Sequence, residues 1–224
     1  MKIAALMLVL GEELMFQDCL DLIVPQVDLV LVCEGGTVCA ERAKLCGPNG
    51  ESLDSTRAIL EANKEKFFHL ELATKPWHSK FAMYNVLLDK LPSDVDYIVL
   101  IDSDEMWSEG SLRKLVALME EAGARRGEAK LWYWNGTYGE PCSLATEPDY
   151  VHRHYQRAYK WKPGWRFGFT EAMRSPLTLL DEKGFLVGPA IQVDDKEATP
   201  DHFAHCKPKE YNNTKQKMYK DRGW

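Results

Sequence analysis

The stretch Asp96-Tyr97-Ile98-Val99-Leu100-Ile101-Asp102-Ser103-Asp104-Glu105 decides how this chain reads. Its first part is an apolar run with β-branched residues, which predicts a strand buried on both faces. Its end is abrupt, with three carboxylates in four residues. Like charges this close repel and raise one another's pKa, so the cluster needs a compensating partner. A divalent cation meets that need, because hard oxygen ligands suit Mg²⁺ or Mn²⁺. In open α/β sheets the carboxyl ends of strands are also where ligands gather. A plainer reading competes: the acids and Ser103 serve only as caps for the next helix. Ser108, just ahead of Leu112, Leu115 and Val116, can cap that helix without them.

The residues before this stretch supply the layers around it. Lys2 to Leu10 is a continuous apolar run, expected to be a central parallel strand. From Leu14 the residues Met15, Cys19, Leu20 and Ile23 share one helical face, and Pro25 ends that helix. Val27 to Cys33 is a second apolar strand ending at Glu34, which puts Glu34 on the same carboxyl edge as Asp102. Thr37 to Leu53 reads as irregular, with a turn at Gly47-Pro48-Asn49-Gly50. Cys33, Cys39 and Cys46 lack a C-x-x-C pair and an obvious fourth ligand, so free thiols are expected there and not zinc. Asp54-Ser55-Thr56 opens a helix to about Lys66, and Phe68 to Leu72 is a short strand. His78 to Leu91 is a helix with Phe81, Tyr84, Leu88 and Leu91 inward, among which the amide of Asn85 needs partners. A helix from about Ser111 to Ala122 follows the acidic cluster and closes at Gly123.

Beyond Gly127 the texture changes. Ala129 to Trp134 is a strand candidate, but Gly, Pro and aromatic residues then replace the helices. Tyr138, Tyr150, Tyr155, Tyr159, Trp161, Trp165, Phe167 and Phe169 crowd this part. His152 to Arg166 carries Arg153, Arg157, Lys160, Lys162 and Arg166 with no acid between them. Rings stack on sugars or bases and cations meet phosphate, so this segment is a candidate acceptor surface, or else a second small core. The C-terminal tail is basic, with Lys207, Lys209, Lys215, Lys217, Lys220 and Arg222 against Glu210 and Asp221.

A length of 224 residues suits one α/β domain, and a hydrophobic content of 45% is enough for a sizeable core. The net charge of −6 provides no global field for nucleic acid or membrane. No apolar run is long enough to span a bilayer. The first residues read as a strand and not a signal peptide, and six cysteines without a secretory signal point to a reducing cytoplasm.

Taken in order, these residues resemble the GT-A glycosyltransferases, nearest to glycosyltransferase family 2. Glu12-Glu13 after the first strand is similar to that family's opening. Glu34 stands where an acid contacts the nucleotide base, with Asp the commoner residue. Asp54-Ser55-Thr56 resembles the family's S-T-D-x-T region, displaced by the Thr37–Leu53 insertion. Lys80 and Asn85 match the helix before the central strand, and Asp102-Ser103-Asp104-Glu105 matches the D-x-D signature. Phe167-Gly168-Phe169-Thr170-Glu171 is similar to the G-x-x-H-E element, with Thr170 where His is commoner. His205, Lys215 and Tyr219 resemble the H…K…Y ending.

The resemblance implies a single GT-A domain, an α/β fold with a mostly parallel central sheet flanked by helices. Residues 1–126 form the sugar-nucleotide half, and 127–224 form a smaller antiparallel, aromatic-rich acceptor half. It implies a metal-dependent, inverting transferase using Mn²⁺ or Mg²⁺ and a UDP-sugar. Asp104 then ligates the metal, Asp102 holds ribose or metal, and His205 is the third protein ligand, with His202 the competing choice. Glu34, Asn85, Lys80, Asp102 and Lys215 contact the nucleotide sugar, Lys215 or another tail cation meeting the β-phosphate. Glu171 is the base that takes the acceptor proton, with Glu105 its rival. The expected acceptor is a glycan or saccharide, and hydroxymethylated DNA comes second. Two other classes compete. A nucleotidyltransferase calls for a Gly-rich basic loop after the first strand, where Gly11-Glu12-Glu13 stands instead. A non-catalytic sugar- or nucleic-acid-binding module has no use for Asp102, Asp104 and His205 together.

Overall fold

A computed structural model describes residues 1–140, 143–144, 154–168, 178–207, 210, 212–214 and 217. Its strands begin with β1 (Ile3–Val9), β2 (Leu29–Glu34), β3 (His69–Leu72), β4 (Tyr97–Asp102), β5 (Glu105–Met106), β6 (Arg126–Lys130) and β7 (Trp132–Asn135). They continue with β8 (Ser143–Leu144), β9 (His154–Lys160), β10 (Arg166–Gly168), β11 (Thr178–Leu180), β12 (Ala190–Val193) and β13 (Asp201–His205). The α-helices are α1 (Phe16–Ile23), α2 (Val38–Arg42), α3 (Thr56–Ala62), α4 (Lys80–Leu88) and α5 (Ser111–Glu121).

The largest sheet runs β12-β6-β9-β4-β1-β2-β3. β4, β1, β2 and β3 are parallel neighbours, and so are β12 and β6. Only β9 opposes its neighbours, lying antiparallel between β4 and β6. The stretch around Asp102 is therefore the middle of a mostly parallel sheet, as its apolar run predicted. Side chains alternate along β1: Ile3, Ala5, Met7 and Val9 enter one core, Ala4 and Leu6 the other. α1 and α5 cover the first face with Phe16, Cys19, Leu20, Leu112, Leu115 and Met119. α4 covers the second with Met83, Tyr84, Leu87 and Leu88. Cover on both faces is what removes polar residues from β1 and β4 and gives them their unbroken apolar runs.

A second sheet, β5-β13-β7-β8, stands beyond the carboxyl edge of β4. It corrects the reading of Ala129 to Trp134 as one strand. The chain changes sheets at Leu131, so β6 lies in the large sheet and β7 in the small one. The irregular Thr37–Leu53 stretch contains the short α2. No helix among the described residues is long and apolar enough to cross a membrane.

The aromatic and basic segment is largely internal. Tyr159, Trp161, Trp165 and Phe167 pack in the core beneath α4. Arg157 is buried, Lys160 pairs with Glu120 at 2.9 Å, and Arg166 pairs with Asp89. The described part of this segment thus serves mainly as a core strand with neutralised ends, because β9 must bury both faces between β4 and β6. Tyr150, His152, Arg153 and Phe169 lie outside the described residues.

Candidate active site

β1 ties the carboxyl edge together. Its Leu8 pairs with Asp102 on one side and its Val9 with Glu34 on the other. Immediately after β4, the two residues of β5 pair antiparallel with β13, setting His202 opposite Glu105 and Asp201 opposite Met106. That non-local pairing carries His202 to the acids. One ligand atom from each of Asp102, Asp104 and His202 lies within 4.8 Å of the others. Two carboxylates and an imidazole at this spacing suit Mn²⁺ or Mg²⁺, with hard oxygen as the majority donor. Among the described residues no other group of three His, Cys, Asp or Glu gathers in this way. The Cys33, Cys39 and Cys46 thiols are free.

The histidine brought to the aspartates is His202, the competing choice from sequence. Its Nε2 lies 3.4 Å from Asp104 Oδ1, and its ring packs 4.8 Å from that of Tyr133. His205 sits further along β13, where its backbone pairs with Asn135 after an irregularity in the register. Its side chain lies outside the described residues.

Arg157 was counted in the sequence only as one cation of a basic run. It reaches from β9 into the acidic edge. Its Nη2 donates to Asp102 Oδ2 at 2.7 Å, and its Nε donates to Glu105 Oε1 at 2.8 Å. Burial works against charge on Arg157, but Glu105 and Asp102 outweigh it and hold the guanidinium protonated. Burial also opposes ionisation of Asp102. Arg157, then Lys80 and His202, overcome that and hold its carboxyl below the usual range. Glu105 is fully enclosed, and burial pushes it up to about 8 although Arg157 pulls the other way. Its Oε2 also accepts from Trp107 Nε1 at 3.2 Å. Glu105, the rival base from sequence, is thus sealed against Arg157 and Trp107, a placement that suits a strut between β5 and β9. A lone Arg within a strand of buried residues was the available signal, since such a cation demands a carboxylate partner.

A second buried cation completes the edge. Lys207 follows β13, and its Nζ lies 2.9 Å from Asp104 Oδ2 while also pairing with Glu12. The sequence singled out Lys215 for the tail cation, but Lys215 lies outside the described residues, as does Glu171.

Two residues expected at the nucleotide sugar make hydrogen bonds within the fold. Glu34 has no exposed surface: its Oε1 accepts from Ser52 N at 2.7 Å and its Oε2 from Arg57 Nη2 at 2.8 Å. Trp77 Nε1 donates to its backbone oxygen at 3.1 Å. Glu34 therefore ties the loops beside the site to one another. Asn85 donates to Phe167 O at 3.0 Å and accepts from Phe167 N at 2.8 Å. Its amide serves β10 as a strand partner would. Lys80, exposed at the start of α4, faces the site closely enough to bias Asp102.

No protein-family model matches the chain, and no curated protein matches its sequence. Solved structures do. The fold, with its mostly parallel sheet and acidic carboxyl edge, is the GT-A fold of glycosyltransferases. The particular likeness is to S. aureus TarS. Its residues 1–349, in complex with UDP-GlcNAc, match with a TM-score of 0.56 and 16% identity, over 97% of this chain and 65% of that one. A second TarS structure matches with a TM-score of 0.54 and 15% identity, over 97% of this chain and 39% of that one. This chain thus spans less than two thirds of the TarS chains it matches.

Proposed function

We propose that this chain is a metal-dependent, inverting glycosyltransferase of the family 2 type, moving a sugar from a UDP-sugar to a hydroxyl of a glycan or small saccharide. The observation that carries the reading is the convergence of Asp102, Asp104 and His202 at the carboxyl edge of a GT-A sheet. The donor class follows TarS, whose fold this chain shares and which binds UDP-GlcNAc in its complex.

Asp104 and His202 would hold the divalent ion, with Asp102 contributing and Arg157 fixing the orientation of Asp102. When bound, such an ion supplies Lewis-acid charge against the departing diphosphate. Lys80, at the start of α4, faces the phosphates. Glu34 shapes the nucleotide end through Arg57, Ser52 and Trp77. The acceptor oxygen forms its bond to the anomeric carbon as the bond to the β-phosphate oxygen breaks, and Glu171 takes the hydroxyl proton. Residues 1–126 serve chiefly the donor, and 127–224 serve the acceptor while lending β6, β9 and β12 to the donor sheet. A glycan is favoured over DNA as acceptor because three of the four described cations of that basic segment, Arg157, Lys160 and Arg166, are paired within the fold.

The test is a panel of UDP-sugars with Mn²⁺, scored for release of UDP. Asp104→Ala is expected to lower turnover at least about a hundredfold while leaving the protein folded. Turnover that persists in excess chelator overturns the metal role.

A further inference from the structure

Lys207 is a cation that the transfer reaction, with its metal, does not require at Asp104. Its side chain is 4% exposed, and it bridges Asp104 and Glu12, whose side chains are 7% and 6% exposed. The three residues come from the segment after β13, the turn after β4 and the loop after β1. A buried ammonium is tolerated only when paired, and these two carboxylates supply the pairing. Asp104 is also the acid the metal reading uses as a direct ligand. One of its oxygens faces His202 and the other lies 2.9 Å from Lys207 Nζ.

We propose that Lys207 is a resident counter-cation for Asp104 that sets the metal affinity of the site: it holds Asp104 in the metal-free chain and yields it, retained by Glu12, when a divalent ion binds. The inference rests on the metal reading above. Two cations competing for one carboxylate weaken each other, and a second carboxylate beside the lysine makes the exchange reversible. Removing the ammonium leaves Asp104 and Glu12 buried without it, which raises the demand for a divalent ion. Removing the charge of Glu12 takes one anion away from Lys207, which strengthens its contact with Asp104 against the metal. The two substitutions thus act with opposite sign, which a merely structural role does not produce.

The experiment is titration of Mn²⁺ into the full chain by calorimetry, for the wild type, Lys207→Met, Glu12→Gln and, to locate binding, Asp104→Ala. Thermal melts without metal check folding. Lys207→Met is expected to bind Mn²⁺ at least about tenfold more tightly than wild type, equivalent to about 1.4 kcal/mol. Glu12→Gln is expected to bind it several-fold more weakly. Equal or weaker binding by Lys207→Met overturns the proposal. If that variant fails to fold, Glu12→Gln decides, and unchanged or tighter binding overturns it. Binding by Lys207→Met where the wild type takes up none upholds the competition and removes the metal reading for the natural chain. Binding by neither removes both.

Discussion

Arg157 enters the acidic edge from β9 and divides its guanidinium between Asp102 and Glu105, with Nη1 donating to the Gln156 carbonyl at 3.3 Å. One positive charge faces two carboxylates, and Glu105 has no surface of its own. Breaking a buried pair by removing one partner leaves the other charge uncompensated, at about 3–5 kcal/mol. Glu105, held at about 8, is largely protonated at neutral pH, so Arg157→Met is expected to lose less than that there and to approach it only as Glu105 ionises at higher pH. The pH dependence has a definite sign. With Arg157 present, Asp102 already sits below its usual range, while burial holds Glu105 at about 8. Without Arg157 both carboxyls titrate higher, so the variant favours their protonated forms. Its deficit against wild type shrinks as pH falls and grows as pH rises. Denaturant unfolding of the two proteins at pH 5.5 and 8 measures it. A deficit that is equal at both, or larger at the lower pH, removes this account of Arg157.

The elements differ in how much of themselves they wrote into local sequence. β1 and β4 were legible because both faces are covered, which leaves a continuous apolar run that no loop carries. α1 was legible because Met15, Cys19, Leu20 and Ile23, inward by spacing, are all buried. β5 was not, since two residues have no period, and its partner β13 lies almost a hundred residues away. The choice between His202 and His205 depends on that pairing alone, so local pattern left both open. Arg157 and Lys207 were visible as cations, but their partners Glu105 and Glu12 are set by the fold. Gly35 shows the same limit at the loop that closes over Glu34. It has a φ of 125°, and an added Cβ meets Ala73 Cβ at 2.4 Å and Gly50 O at 3.0 Å. Both the backbone angle and the contact oppose a side chain. Gly35→Ala is expected to destabilise the protein by about 1–3 kcal/mol, and to weaken UDP binding beyond that by moving Trp77, whose Nε1 is 3.2 Å from the added atom. Thermal melting with and without UDP separates the two effects. A variant with wild-type stability contradicts the close approach.

At the scale of the molecule the site joins segments that the chain order keeps apart. Glu12 follows the first strand, Asp102 ends the fourth and Asp104 follows it, Arg157 lies in the ninth, and His202 and Lys207 belong to the last strand and its exit. Ligands that engage this set bridge the large sheet and the small one, so their binding energy stabilises the whole fold and not one loop. A ligand that binds only the native state at about a hundred times its Kd adds about 2.7 kcal/mol. For a chain of this size each kcal/mol moves Tm by roughly 2–4 °C. Mn²⁺ with UDP is therefore expected to raise Tm by roughly 5–10 °C, and UDP in excess chelator by much less. Asp104→Ala is expected to abolish the metal-dependent part, because the carboxylate that links β4 to His202 and Lys207 is gone. A scanning calorimetry series over these conditions checks it. If UDP produces the same shift in chelator, or if Asp104→Ala responds as wild type does, the nucleotide is held away from the aspartates, and the acidic edge has only a structural task.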